Sequence, residues 1–316
     1  MMFTLLKKPF LSTGCLLATT ISLLLLPLSA QASSATDALT QLETQHHLHI
    51  GLSVRDENNR SLLSHHGSER FPLNSTFKAL VCARIWQEGR GDRKAQVRDG
   101  GDVAYAPVLE KLPPHHPISL TQACDAALRV SDNRAANLLL AHTGGPSSTT
   151  AWLRSEGDAV TRLDRNEPTV NDWVQGEVRD TTTPEAITQV WAHLSNNLPE
   201  PARTTWFKAL NANETSQHLL RSLLSQGWTV DDRTGSGLGT RAIHARLTSP
   251  THHHYFVAVH QIEVEATQAT MNEKQRREKA LSLQAKDARL KDALRIVSDV
   301  VLEHERSLVG TTATKP

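Results

Sequence analysis

Ser75 and Lys78 stand three positions apart, directly after Pro72 and Asn74. Phe77, Leu80, Val81 and Ile85 follow at helical spacing, and Pro72 with Asn74 supplies a stop and a cap signal. The spacing predicts a buried helix opening at Ser75, with Ser75 and Lys78 on one edge of it. A hydroxyl at such a terminus gains from exposed N–H groups and from the positive end of the helix, both of which favour developing negative charge. An ammonium one turn on lowers the cost of a serine alkoxide, or as a neutral amine takes its proton. The pair therefore reads as a nucleophile with its activator. Alone, the same tetrapeptide also reads as a solvated helix start.

Three further segments supply what such a nucleophile needs. In Ser131-Asp132-Asn133 a hydroxyl can relay a proton and an amide can hold both a carbonyl and the lysine, although Asp132 or Asn133 also reads as a helix cap. In Arg233-Thr234-Gly235-Ser236-Gly237 a cation beside a hydroxyl suits a carboxylate. Gly235 there leaves room for a substrate against the strand. The backbone N–H of Ser236, with that of Ser75, can form an oxyanion hole. In the stretch from Arg162 to Asn171, Glu167 and Asn171 can position and deprotonate a water, while Arg165 and Asp180 can close the loop's neck as an ion pair. Taken singly, the last two segments also read as a glycine-rich strand end and a surface loop.

Elements able to position these residues follow from periodicity. Residues 37–47 form an amphipathic pattern; Leu48, Ile50, Leu52 and Val54 then alternate as a strand with one buried face. Asp56-Glu57-Asn58-Asn59 turns into a return strand around Leu62 and Leu63. Helical periodicity runs from Pro72 to about Asn213, and strands resume around Val230, Ile243 to Leu247 and Tyr255 to Val259. From Asn272 to about Glu305 one long charged helix is predicted. Residues 272–289 extend beyond the domain, and Leu290, Ala293, Leu294, Val297, Val300 and Val301 form a docking stripe. Strands at both ends with helices between imply two lobes. These are an α/β lobe of residues 33–70 and 214–316, with an antiparallel sheet flanked by helices, and an inserted all-helical lobe of residues 71–213.

With 316 residues, 39% hydrophobic content and a formal charge of +1, the chain can bury one or two cores and shows no basic run suited to nucleic acid. Residues 1–32 read as a signal peptide: Lys7 and Lys8, an apolar run from Leu16 to Leu28, and a small-x-small site at Ala30-Gln31-Ala32. A lipoprotein signal at Cys15 fails because the apolar run follows that cysteine. The expected product is a periplasmic monomer, cleaved after Ala32, with no stable membrane association. Cys82 and Cys124 then remain, roughly forty residues apart. In an oxidising compartment they are natural disulfide partners, contributing about 4 kcal/mol by chain entropy; two buried thiols are the alternative. His46-His47, His49, His65-His66, His115-His116 and His252 to His254 lack the spacing of a catalytic zinc site, so loop and strand-edge histidines, no metal and no cofactor are expected.

The order Ser-x-x-Lys, Ser-Asp-Asn, Glu-x-x-x-Asn and cation-Thr-Gly resembles the class A serine β-lactamases from about residue 37 to Met271. Ser75-Thr76-Phe77-Lys78, Tyr105-x-Pro107-Val108, Arg179 to Pro184, Ser131 to Leu140 and Gln268 to Met271 also match, and Cys82 and Cys124 fall where the family's disulfide does. The resemblance implies the two-lobed serine β-lactamase and penicillin-binding fold with the site between the lobes. It implies Ser75 as acylated nucleophile, with Lys78 and Glu167 sharing general-base work. Ser131 becomes the proton shuttle, and Glu167 with Asn171 activates the deacylating water. Tyr105 lies at the rim, and Asn133 holds the drug's side-chain amide. Arg233 and Thr234 receive its carboxylate, and Arg241 corresponds to the family's second carboxylate-binding arginine.

Two features depart from the common pattern. The third motif usually begins with Lys; Arg233 instead offers a planar charged fork, a feature shared with the carbenicillin-hydrolysing subgroup. The turn from Gly237 to Arg241 is one residue short. The resemblance predicts an exported enzyme acting on penicillin-type β-lactams and conferring antibiotic resistance. A penicillin-binding DD-peptidase and a non-catalytic β-lactam sensor are the alternatives, both disfavoured by Glu167. A zinc hydrolase built on the histidines is a third.

Overall fold

The computed structural model describes residues 28–97 and 103–312. Most of the expected leader lies outside the described residues. In chain order the elements are α1 (Leu28–His46), β1 (Leu48–Asp56), β2 (Ser61–His65), β3 (Phe71–Pro72), α2 (Phe77–Gln87), β4 (Lys94–Gln96) and β5 (Pro117–Ser119). There follow α3 (Leu120–Arg129), α4 (Asn133–Thr143), α5 (Pro146–Ser155), β6 (Thr181–Thr182), α6 (Pro184–Asn197) and α7 (Glu200–Asn211). The chain closes with β7 (Thr229–Gly237), β8 (Thr240–Thr248), β9 (His254–Glu263), α8 (Glu273–Lys279) and α9 (Leu283–Thr312).

The main sheet has the order β2-β1-β9-β8-β7, with β1 paired antiparallel to both β2 and β9. The two expected strand groups thus meet at β1–β9, which joins the two halves of the chain. One face of the sheet carries Ile50, Leu52, Val54, Ile243, Val257 and Val259, packed against Leu39 of α1 and the α9 stripe Leu290, Leu294, Val297 and Val301. A second core links α2, α3, α4, α6 and α7 and takes in Phe256 and Ala258 from the sheet's other face. Because α6 covers that face, β1 is buried on both sides, where alternation predicted one. Ser53 lies under α6 and meets the Thr188 hydroxyl at 3.0 Å.

Two local expectations are corrected. Ser75 lies in a 3-10 turn, Asn74–Thr76, and α2 begins only at Phe77. Asn74 does not cap that helix; its side-chain amide donates to Thr240 Oγ1 at 3.0 Å, so a tertiary partner outcompetes the cap. The C-terminal segment is two helices rather than one. Asn272 caps α8 by accepting from the Gln275 N–H at 3.0 Å, and the Ser282 hydroxyl accepts from the Ala285 N–H at 3.2 Å. Such local bonds compete with helix continuation, which explains the interruption between Lys279 and Leu283. No residue of α8 is buried, in keeping with a solvated charged run. Lys286 and Asp287, within the segment expected to extend outside the domain, are buried against the sheet instead.

Candidate active site

The nucleophile turn is wedged against β7. A Cβ on Gly235 would lie 2.8 Å from Leu73 O and 3.1 Å from Ser75 N, so glycine is required for the turn itself to approach the strand. The predicted reason, room for a substrate, is therefore secondary. Lys78, in the first turn of α2, is wholly buried. Its Nζ donates to Ser131 O at 3.0 Å, Ser131 Oγ at 3.2 Å and Asn133 Oδ1 at 2.6 Å, and lies 3.1 Å from Glu167 Oε1. Burial lowers its pKa to about 8, against the raising effect of Glu167 and with a further lowering by Arg233. At pH 7 roughly a tenth of the amine is thereby neutral and available as a base.

Ser131 and Asn133 sit at the start of α4, which Asp132 organises. Asp132 Oδ1 accepts from the Ala135 N–H at 2.8 Å as the helix cap. Its Oδ2 accepts from the N–H groups of Val108 at 3.0 Å and Leu109 at 2.9 Å. One carboxylate thus ties the α4 start to the segment carrying Tyr105. The Asn133 N–H donates to Tyr105 O at 3.0 Å, and its side chain to Ala104 O at 3.0 Å. Tyr105 remains 60% exposed at the rim. Asn74, Tyr105 and Ser131 hold positive φ angles of 46°, 62° and 64°. Non-glycine residues rarely adopt these angles, and here all three flank one cleft.

Residues 162–182 form a closed loop. Asp180 Oδ1 accepts from the N–H groups of Asp164 at 2.7 Å and Arg165 at 2.9 Å, and Asp164 Oδ2 returns a bond to the Asp180 N–H at 2.9 Å. The Arg165 guanidinium completes the neck by pairing with Asp180, as the sequence predicts. Asn137, which sequence reading passed over, fixes Glu167 from outside the loop. Its amide donates to Glu167 O at 2.8 Å and accepts from Glu167 N at 2.9 Å. The Glu167 carboxylate is buried; Oε1 accepts from Ser75 Oγ at 3.4 Å and Oε2 from Asn171 Nδ2 at 2.6 Å. Asn171 Oδ1 is buried without a hydrogen-bond partner among the described residues, a vacant acceptor beside the carboxylate.

Arg233 is fully buried behind Thr234, and burial brings its pKa down to about 10, leaving it cationic. It donates to Ser131 Oγ, and to Thr215 Oγ1 at 3.3 Å; Thr215 in turn meets Thr234 Oγ1 at 2.6 Å. Its charge therefore reaches the cleft largely through two hydroxyls, not as a free fork. Arg241 is also buried, paired with Asp287 and donating to Gly235 O at 3.1 Å. Lys286 donates to Gly237 O at 2.8 Å and Ser236 Oγ at 3.3 Å, so a second cation borders this corner. The cleft, of about 620 Å³, is lined by Ser75, Tyr105, Ser131, Asn133, Asn171, Thr234, Ser236, Arg241 and Asp287 among others.

All the predicted site residues are thus gathered around one cleft. Those missed were Asn137, Thr215, Lys286 and Asp287. Only Asn137 carried a signal, an amide one helical turn beyond Asn133; the others are selected by long-range packing. Cys82 and Cys124 form a disulfide joining α2 to α3 behind the site, with Cα atoms 5.7 Å apart. The His and Glu side chains grouped as possible metal ligands among the described residues lie elsewhere, at Glu43, His49, His65, His66 and Glu69. The cleft itself is equipped for acyl transfer to a serine followed by hydrolysis: a base next to the hydroxyl, a second hydroxyl on the lysine, and a held carboxylate–amide pair.

Comparison with known proteins agrees with that chemistry. Residues 34–287 match the family described as "Beta-lactamase enzyme family". The chain is 37% identical over 233 residues to β-lactamase CARB-4 of Pseudomonas aeruginosa, covering 71% of this chain and 81% of that protein. It is 35% identical to β-lactamase PSE-1 of the same organism over 235 residues, covering 71% and 80%. Among solved structures, the chromosome-encoded β-lactamase of Vibrio parahaemolyticus superposes with a TM-score of 0.75 at 33% identity, over 84% of this chain and 98% of that one. An ancestral class A β-lactamase superposes with a TM-score of 0.73 at 34% identity, over 84% and 99%.

Proposed function

The chain belongs to the class A serine β-lactamase family, and on that premise we propose that it opens the ring of penicillin-type β-lactams through an ester on Ser75, hydrolysed by a water that Glu167 activates. It is a β-lactam hydrolase of the kind that confers antibiotic resistance. The contacts around the lysine support the acylation route. Glu167 Oε1 is within reach of both Ser75 Oγ and Lys78 Nζ, so the serine proton can pass to the carboxylate, and through it to the amine, as Oγ attacks the lactam carbonyl. The N–H groups of Ser75 and Ser236 receive the oxyanion. Lys78 then hands a proton through Ser131 Oγ to the departing lactam nitrogen. Asn133 and Tyr105 hold the side chain of the drug, while Thr234 and Ser236, backed by Arg233 and Arg241, receive its carboxylate.

The observation carrying the hydrolytic half is the Glu167–Asn171 pair. A water placed there donates one hydrogen to the carboxylate and the other to the vacant Asn171 Oδ1, leaving its lone pair for the ester. A DD-peptidase or an acylated sensor has no need of this arrangement. In the lobe division proposed above, Ser75, Lys78, Ser131 and Glu167 come from residues 71–213, and Arg233 to Ser236 from residues 214–316. The leader signals and the disulfide support export to the periplasm, and we take the working unit to be a monomer. No helix among the described residues is long and apolar enough to cross a membrane.

Nitrocefin hydrolysis by purified protein tests the proposal. Sustained turnover unaffected by EDTA, and its loss in Ser75→Ala, is expected. One stoichiometric burst followed by arrest would instead identify a sensor, and inhibition by chelator a metal hydrolase.

A further inference from the structure

Outside the lining of the cleft, the fold gathers histidines that are scattered in sequence. Glu43 comes from the last part of α1, His49 from β1, His65 from β2, and His66 and Glu69 from the turn before β3. Glu43 Oε2 lies 3.0 Å from His65 Nε2 and 3.5 Å from His66 Nε2. Glu69 Oε1 meets the opposite nitrogen of His66, Nδ1, at 2.7 Å. We propose that Glu43, His65 and His66 bind one divalent transition-metal ion of the zinc class, with Glu69 as the positioning residue that orients His66.

Four features support this. First, tetrahedral coordination at zinc–ligand distances near 2.0–2.2 Å sets donor atoms about 3.3–3.5 Å apart, close to the two separations found here. The three donor atoms all lie within 4.8 Å of one another, so an ion needs only small side-chain shifts. Second, a carboxylate only accepts, so His66 donates Nδ1–H to Glu69. That bond leaves Nε2 as the lone-pair nitrogen on the Glu43 side. This carboxylate–histidine relay is the outer arrangement that metal-ligating histidines ordinarily have. Third, neither Glu43 nor Glu69 has a lysine or arginine partner among the described residues; their counter-charges are imidazoles. Two carboxylates with no fixed cation paired to them give a local negative charge that suits a dication. Fourth, the site is partly dry and preformed. The side chain of His65 is 6% exposed and that of Glu43 14%, while the Ile50 N–H fixes Glu43 Oε1 at 2.6 Å. His66, 34% exposed, leaves an entry path.

Binding needs a free lone pair on His65 Nε2: the imidazolium releases that proton to solvent and keeps Nδ1–H, while the neutral ring shifts its proton to Nδ1 with no net release. The fourth position is left to water. Because its ligands come from α1, β2 and the following turn, the ion would pin α1 to the hairpin. Its role is therefore structural, and lactam turnover does not depend on it.

The test uses tag-free full-length protein stripped with EDTA and titrated with Zn²⁺ by calorimetry, then with Co²⁺ by visible absorption. One ion per chain is expected, with a melting temperature that rises on Zn²⁺ addition and falls on chelation while nitrocefin turnover holds. His66→Gln, at the exposed ligand, leaves the fold intact and should abolish stoichiometric binding, as should Glu43→Gln. Glu69→Gln should weaken binding about 10- to 100-fold without changing the stoichiometry. His253→Gln, in an unrelated histidine cluster, should change nothing. Failure to bind one equivalent, or binding that survives Glu43→Gln, overturns the proposal. So does binding that requires His49 and Glu69 but tolerates Glu43→Gln, since that would place the ion on the neighbouring triad of His49, His66 and Glu69.

Discussion

Replacing Glu167 by alanine separates the two halves of the proposed reaction. The substitution removes the carboxylate that touches Ser75, Lys78 and Asn171. It leaves untouched the two bonds from Asn137, because those go to the Glu167 main chain. The loop therefore keeps its anchor. Breaking a buried ion pair commonly costs about 3–5 kcal/mol, because a charge is left unpaired. Here the cost is capped. Lys78, with a pKa already near 8, gives up its proton at pH 7 for only about 1.4 kcal/mol, and loss of Glu167 makes that easier still. The variant should fold, with Lys78 as a neutral amine competent to deprotonate Ser75. Acylation therefore survives. Deacylation loses its general base, worth about 10²–10⁴-fold, or roughly 2.7–5.4 kcal/mol of barrier. Intact-protein mass spectrometry after mixing with benzylpenicillin should show a stable gain of one whole drug molecule on Glu167→Ala. No adduct should form on Glu167→Ala/Ser75→Ala. Turnover at the wild-type rate by Glu167→Ala would refute the assignment, whatever the motifs suggest.

Three other outcomes follow from the structure. The Cys82–Cys124 link closes a loop of 42 residues, so native protein should resist maleimide labelling, and Cys82→Ser should lower the melting temperature by roughly 5–15 °C in thermal denaturation. Asp287→Asn removes the counter-charge of Arg241 while keeping a hydrogen-bond acceptor. The released charge should lower KM for benzylpenicillin about 3- to 10-fold with little change in kcat, and an unchanged KM would show that Arg241 does not sense the substrate carboxylate. His244 and His260 face each other at 3.0 Å in the core; burial holds His244 far below the usual histidine range and His260 at about 3. With the folded pKa depressed, the unfolded chain binds more protons between pH 6.5 and about 3, so stability falls as pH drops through that window. His260 alone contributes a loss of about 3 kcal/mol by pH 4, measurable by urea unfolding, and His260→Phe should flatten the profile.

What the sequence by itself determined is the local chemistry and most of the elements. Ser75 and Lys78 were legible because one helical turn separates them. Ser131 with Asn133, and Glu167 with Asn171, were legible because their partners lie within four residues. Alternation located β7, β8 and β9, and the apolar stripe from Leu290 to Val301 located α9, since burial on one face writes its period into the chain. Only the tertiary structure decided what depends on contacts between distant segments. Gly235 is dictated by the backbone of Leu73 and Ser75, and Asn74 is claimed by Thr240 instead of by its own helix. Lys286 and Asp287 look like any solvated charge pair until α9 sets them beside Ser236 and Arg241. The histidines show the same limit. Judged by spacing, His49 and His65-His66 have no common ligand geometry, yet the β1–β2 hairpin pairs Leu52 with His65, and α1 lays Glu43 across them. Register and packing bring those side chains together, and neither leaves a periodic trace in the order of residues.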